Sequence, residues 1–165
     1  MKIIGIDPGL AEVGYSIVNK EGNSFSVVTF DTLTTSSNCT DVERLGKIYE
    51  EMTSIINKFN PQHMAVEKLF FNKNVKTAIR VGQARGVLML AGSNANLTVS
   101  EYTPLEIKQA VVGYGKASKR QVQEMVKALL NLDTTPDSDD AADALAVCLC
   151  HGHTHAVKDK WSEQL

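Results

Sequence analysis

The order of elements along the chain predicts an α/β fold, a mixed five-stranded sheet with helices on both faces. Three short strand-like runs crowd the first 33 residues, and from residue 40 onward helical periodicity alternates with two further strand-like runs. The 165-residue length, with 43% hydrophobic and 22% charged residues, suits one domain with one real core. Residues 1–152 are expected to form that single domain and 153–165 a disordered tail, because chain ends without packing partners fray.

Lys2–Asp7 is a short apolar strand stopped by the turn chemistry of Asp7-Pro8-Gly9. Val13–Asn19 and Phe25–Leu33 alternate polar and apolar residues, with Lys20-Glu21-Gly22-Asn23 turning between them. The first three strands therefore read as an antiparallel meander. Thr40 or Asp41 caps a helix whose inward positions, at 3-4 spacing, are Val42, Leu45, Ile48, Tyr49, Met52, Ile55, Ile56 and Phe59. After Asn60-Pro61, the strand His63–Val66 runs into Glu67. Residues 75–92 read as a helix with Ala78, Gly82 and Gly86 at every fourth position. Glycine inside a helix costs about 1 kcal/mol against alanine. That face is expected to meet another backbone, from within the chain or from a second subunit. Leu97–Tyr102 is the fifth strand, and Pro104 suits the first turn of a helix. Ser118 opens a helix with Val122, Met125, Val126, Leu129 and Leu130 inward, and Pro136 precedes a last helix from about Asp137 to Cys150.

The net charge of −2 rules out a uniformly basic coat, but the mean hides an asymmetry. Lys68 to Lys127 holds ten Lys or Arg against three Glu and no Asp, so a basic middle sits on an acidic frame. Such a patch attracts a polyanion locally while the whole stays soluble. No apolar run reaches the roughly 18 residues of a membrane span, and the N-terminus reads as a strand, not a secretory leader. No membrane partner is expected. Cys39, Cys148 and Cys150 form no CxxC pair; as free, small buried hydrophobes they fit a reducing cytosol.

Four acids stand where a purely structural chain has little use for them. Asp7 and Glu67 end apolar strands, although Asp before Pro-Gly also serves as turn chemistry. Asp140 and Asp143 lie three apart on one helix face among Ala141, Ala142, Ala144 and Ala146, although first-turn acids also suit the helix dipole. The small neighbours imply tight packing and partial burial of the acids. Desolvated carboxylates repel unless a cation joins them. Such a set can hold two Mg²⁺ ions about 3.5–4 Å apart through oxygen ligands alone. Asp139 adds an alternative, since Asp139 and Asp143 form an i, i+4 pair that also converges.

Taken together, Gly5-Ile6-Asp7-Pro8-Gly9 with Gly14-Tyr15, Ala65-Val66-Glu67, Gly82-Gln83-Ala84-Arg85-Gly86, Lys108-Gln109-Ala110-Val111-Val112-Gly113-Tyr114-Gly115 and Asp140-Ala141-Ala142-Asp143-Ala144-Leu145-Ala146 resemble the RuvC Holliday junction resolvases, the crossover junction endodeoxyribonucleases. The resemblance covers about residues 1–153, with five motifs in family order. It implies a ribonuclease H-like fold and a homodimeric, Mg²⁺-dependent endonuclease (Mn²⁺ substituting), with two ions per subunit. Its catalytic and metal-binding carboxylates fall on Asp7, Glu67, Asp140 and Asp143, which favours Asp140 over Asp139. It further implies paired nicks across a four-way junction in DNA recombination and repair, 5′-phosphate ends, a cytoplasmic setting, and RuvA and RuvB branch-migration partners.

The basic middle then has candidate DNA contacts. Lys73, Lys76, Arg80 and Arg85 are spaced to reach phosphates, which position DNA without reading its sequence. The resemblance places Lys108 and Lys119 near the cut phosphate, and Gly113-Tyr114-Gly115-Lys116 reads as a loop that admits DNA. Phe70, three after Glu67, takes the position of a DNA-contacting aromatic in the family, and Phe71 is assigned to the core. His151, His153 and His155 look like a metal cluster, but the expected frayed tail and the lack of nearby Cys favour adventitious binding. The alternatives are a ribonuclease H-like nuclease on another substrate and a non-catalytic junction-binding module. The latter ought to lack some of the four acids. Actin-like kinases open similarly but need two such domains around a nucleotide.

Overall fold

The structure, a computed structural model, describes residues 1–68 and 75–162, with side chains described to His155. One five-stranded sheet has the order β3-β2-β1-β4-β5. β1 (Lys2–Asp7), β2 (Glu12–Glu21) and β3 (Ser24–Thr34) form the expected antiparallel meander. β4 (His63–Glu67) and β5 (Thr98–Tyr102) add in parallel on the other side of β1. Parallel neighbours need a crossover; α2 (Val75–Asn94) supplies it between β4 and β5, and α1 (Asp41–Phe59) precedes β4. α3 (Pro104–Val112), α4 (Lys119–Leu129) and α5 (Asp139–Ser162) follow β5.

The two-residue period of β1 divides the core. Ile4 and Ile6 pack with Ile48, Met52 and Leu88 of α1 and α2, whereas Ile3 packs with Ile107, Val126 and Leu145 of α3 to α5. Helices thus cover both faces. Three capping boxes, Thr40 with Glu43, Thr103 with Glu106 and Ser118 with Gln121, fix where α1, α3 and α4 begin. Thr40, not Asp41, is the cap of α1.

Several expectations are corrected. Val42 and Leu129 are exposed, because each lies in an end turn where the apolar stripe runs past the core. Cys148 and Cys150 are buried as expected, but Cys39 is exposed. A Cβ on Gly82 or Gly86 would meet nothing within 4 Å, so among the described residues no backbone of this chain covers that face. The last helix does not end near Cys150 as expected: α5 passes both Cys150 and residue 152 and ends at Ser162. His151 anchors it, 1% exposed, with Nδ1 2.8 Å from the Tyr102 hydroxyl and Nε2 3.1 Å from His63 Nδ1. Thr154 then donates its hydroxyl proton to the Cys150 carbonyl.

Candidate active site

Asp7 and Glu67 close the parallel neighbours β1 and β4, and the Ile6–Val66 register brings their carboxyl groups together at one edge of the sheet. In open α/β sheets this edge, where strand direction changes, is where ligands bind. Asp140 and Asp143 arrive from the first turns of α5, which lies across β1 and β2. Two strand glycines permit that approach. A Cβ on Gly5 would overlap the Ala144 carbonyl oxygen, and one on Gly14, the register partner of Asp7, would overlap that of Asp140. Ala141, Ala142, Ala144 and Ala146 are buried beside them, as the sequence implies.

Burial raises the Asp7 carboxyl well above the ordinary carboxylate range, and the charges of Glu67, Asp143 and Asp140 raise it further. Burial and then Asp143 raise Glu67, which shares a hydrogen bond with Asp7. Asp143 is raised by burial although Lys119 opposes the shift. Both shifts run in the direction that favours a proton shared between Asp7 and Glu67, while Lys119 Nζ stands 3.1 Å from Asp143. Among the described residues no three acidic, histidine or cysteine side chains already form a metal cage. The donor set nevertheless fits hard divalent cations: it is oxygen-only, desolvated and mutually repelling, with one lysine as its counter-charge.

Asp139 lies outside this cluster. Its carboxylate is exposed, accepts a hydrogen bond from Gln123 Nε2 at 2.8 Å and pairs with Lys119 Nζ at 3.2 Å. Those two partners lower its pKa. Burial pulls Lys119 down, but the bonds to Asp143 and Asp139 outweigh it and the amine stays a firm cation. Asp140, by contrast, shares a cavity of about 450 Å³ with Asp7.

The DNA-contact candidates separate by position. Lys108 and Lys119 line a smaller cavity, about 180 Å³, together with Glu67 and Asp143. Arg80 lines the larger one. Lys76 and Lys116 are exposed on α2 and in the loop after α3. Arg85 is instead turned to Glu101 on β5 and mostly covered, which competes with a role on phosphates. Phe70, Phe71 and Lys73 lie outside the described residues. Sequence reasoning missed Arg44, whose position on α1 reads as helix surface, and the packing roles of Gly5 and Gly14, for which a glycine inside a strand is the available signal.

A stability test follows from the raised carboxyls. A group whose folded pKa is raised contributes stability below its unfolded value, lost as pH rises through the folded one. For Asp7 that loss runs from the ordinary carboxylate range toward about 8. In chelator, acidification from pH 8 toward 6 should therefore raise Tm. Asp7→Asn, uncharged and still able to donate to Glu67, should gain about 1–3 kcal/mol at pH 8. Calorimetry checks both, and an unchanged or lowered Tm for the variant refutes the desolvated-charge picture.

A carboxylate cluster at the ends of β1 and β4, under the head of a helix lying on the sheet, defines a ribonuclease H-like nuclease. The comparisons narrow this class. A family model described as "Crossover junction endodeoxyribonuclease RuvC" matches residues 3–151. A protein of that name from Halothermothrix orenii is 59% identical over 161 residues, 98% of each chain. The structure of Thermus thermophilus RuvC in complex with Holliday junction substrate superimposes with a TM-score of 0.90 at 33% identity, covering 96% of each chain. The yeast mitochondrial Holliday junction resolvase Ydc2 matches with a TM-score of 0.70 over 96% of this chain and 80% of its own, and at 13% identity shows the fold alone. The chain belongs to the RuvC family of crossover junction endodeoxyribonucleases.

Proposed function

We propose that the protein resolves Holliday junctions, acting as an endonuclease that cuts a four-way DNA junction with paired, divalent-metal-dependent nicks. The observation that carries this reading is the meeting of Asp7, Glu67, Asp140 and Asp143 at one sheet edge in a chain that matches the family over residues 3–151. Asp7, Glu67, Asp140 and Asp143 would hold two Mg²⁺ ions per subunit, or Mn²⁺ in their place. When bound, such ions supply an activated water and neutralise charge on the phosphoryl and leaving 3′ oxygens. The products are then 5′-phosphate and 3′-hydroxyl ends that a ligase can seal.

The chain's own residues do the preparation. Asp7 and Glu67 give up their shared proton before both can serve as ligands, so ligand capacity rises with pH. Lys119 leaves Asp143 for the cut phosphate, while Asp139, held by Gln123, keeps the ammonium at the rim of the cavity. Lys108 faces the same cavity. Asp139→Asn should therefore slow nicking only a few-fold, whereas Asp140→Asn should abolish it. Gel assays of both variants decide the matter, and the reverse ranking overturns the register of α5.

A homodimer presents two such sites to two equivalent strands. The uncovered face of Gly82 and Gly86 beside exposed Ile79 and Leu90 supports helix contact between copies. Gly82→Ala should stabilise an isolated α2 by about 1 kcal/mol yet weaken self-association, measurable by sedimentation. Unchanged association places the dimer elsewhere. Phe70 stacking on an unpaired base, phosphate contacts by Lys73, Lys76 and Lys116, docking with RuvA and RuvB, a role in recombination and repair, and a cytoplasmic setting belong to the same proposal. No described helix is long and apolar enough to cross a membrane.

The test is an end-labelled synthetic four-way junction incubated with Mg²⁺. Symmetric nicks on two opposing strands, sealed afterwards by ligase, are expected. An intact junction with Mg²⁺ and with Mn²⁺ overturns the proposal.

A further inference from the structure

We propose that Arg44 and Arg80 form a subsite for a DNA backbone phosphate next to the one that is cut, an inference that rests on the nuclease reading above. The roughly 450 Å³ cavity is lined by the acids Asp7, Glu12 and Asp140 and by Arg44 and Arg80. That volume lies within the range of small-ligand sites and suits a nucleotide unit.

Arg44 is unusual for an arginine, with its side chain only 10% exposed. Its Nε donates to the Thr35 hydroxyl at 2.7 Å, and that hydroxyl donates to the Leu10 carbonyl at 2.5 Å. The Thr35 amide also donates to the Ala11 carbonyl at 2.9 Å. Leu10 and Ala11 belong to the loop that follows Asp7 and wall the same cavity. Arg44 is thereby fastened to the segment that carries a catalytic acid.

Arg80 reaches across from α2 and places Nε 2.8 Å from Asp41, whose other oxygen lies 3.9 Å from an Arg44 Nη. Two guanidinium groups share one carboxylate, so the trio keeps a net positive charge. Each guanidinium carries five donors in a planar fork that matches phosphate oxygens. A cavity lined by both the acid cluster and two arginines fits a chain of phosphates better than a lone anion. One phosphate is cut at the acids while its neighbour is clamped, which holds the strand in line. Because Thr35 and Arg44 tie the clamp to the Asp7 loop, strand position and catalytic geometry are set by one connected structure.

The test uses junctions with a single uncharged methylphosphonate at successive positions near the cut, nicked by wild type, Arg80→Ala and Arg44→Lys. In wild type one position beside the cut should slow nicking about tenfold, or 1.4 kcal/mol. Both variants should be slowed similarly on the natural junction and become insensitive at that position. Equal sensitivity in wild type and variants overturns the subsite and leaves the trio as a staple between α1 and α2. Melting curves guard against misfolding, and if Arg44→Lys is unstable, the exposed Arg80 decides. Junction affinity measured over the same series reads the subsite even where no strand is cut, a result that would sink the nuclease reading instead.

Discussion

Glu67→Gln is expected to abolish junction nicking, by about 10²–10³-fold or more, while junction affinity stays within a few-fold. Glu67 shares a hydrogen bond with Asp7 and lines one cavity with Lys108 and Lys119, so its charge sits at the centre of the site. The amide keeps the volume and loses the anion. Binding should persist, because cation contacts to phosphate generally supply most of a nuclease's affinity for DNA and the substitution removes no Lys or Arg. Single-turnover nicking beside an equilibrium binding curve separates the two quantities. Wild-type nicking by the variant would take Glu67 out of the chemistry.

Gly14→Ala should be almost as damaging without touching any polar group. Its Cβ would overlap the carbonyl of Asp140, and the contact is with backbone, which cannot swing away. Overpacking of this kind costs about 1–3 kcal/mol, and at this chain length each kcal/mol lowers Tm by about 2–4 °C. The loss of activity should exceed the loss of fold. Pushing the head of α5 off β2 moves Asp140 away from Asp7, and a displacement of about 1 Å can cost 10²-fold in rate. A variant that melts lower but nicks at the wild-type rate would show that α5 adapts.

The strands, their meander and the acids at their ends were legible because each has a local signal. The period of two in β1, the turn residues after Asp7 and the alanine-rich surroundings of Asp140 and Asp143 all lie within a few positions of the residue in question. What is not local was not legible. Nothing near Arg44 in sequence announces that Thr35 will fasten it to the Asp7 loop, and nothing near Arg85 announces Glu101. The run of α5 past residue 152 depends on His151 meeting Tyr102 and His63, two strands that the sequence alone does not place beside it. In the sequence the choice of Asp140 over Asp139 rests on the family spacing alone; the contacts with Gln123 and Lys119 of α4, which draw Asp139 outward, have no local signal. The helix repeat of Gly82 and Gly86 predicts a packing neighbour, and none of the described backbone of this chain fills that place.

On the reading proposed above, Asp7, Glu67, Asp140 and Asp143 are kept desolvated and crowded for the sake of divalent cations. Titrating Mg²⁺ into chelator-stripped protein at pH 8 while recording Tm tests it most directly. Wild type should gain about 2.7 kcal/mol when the ion reaches a hundred times its Kd, a rise of several degrees. Asp7→Asn should begin from a higher Tm and lose most of that rise. A wild-type Tm that does not move with Mg²⁺ or Mn²⁺, or a rise that survives intact in Asp7→Asn, would contradict the claim.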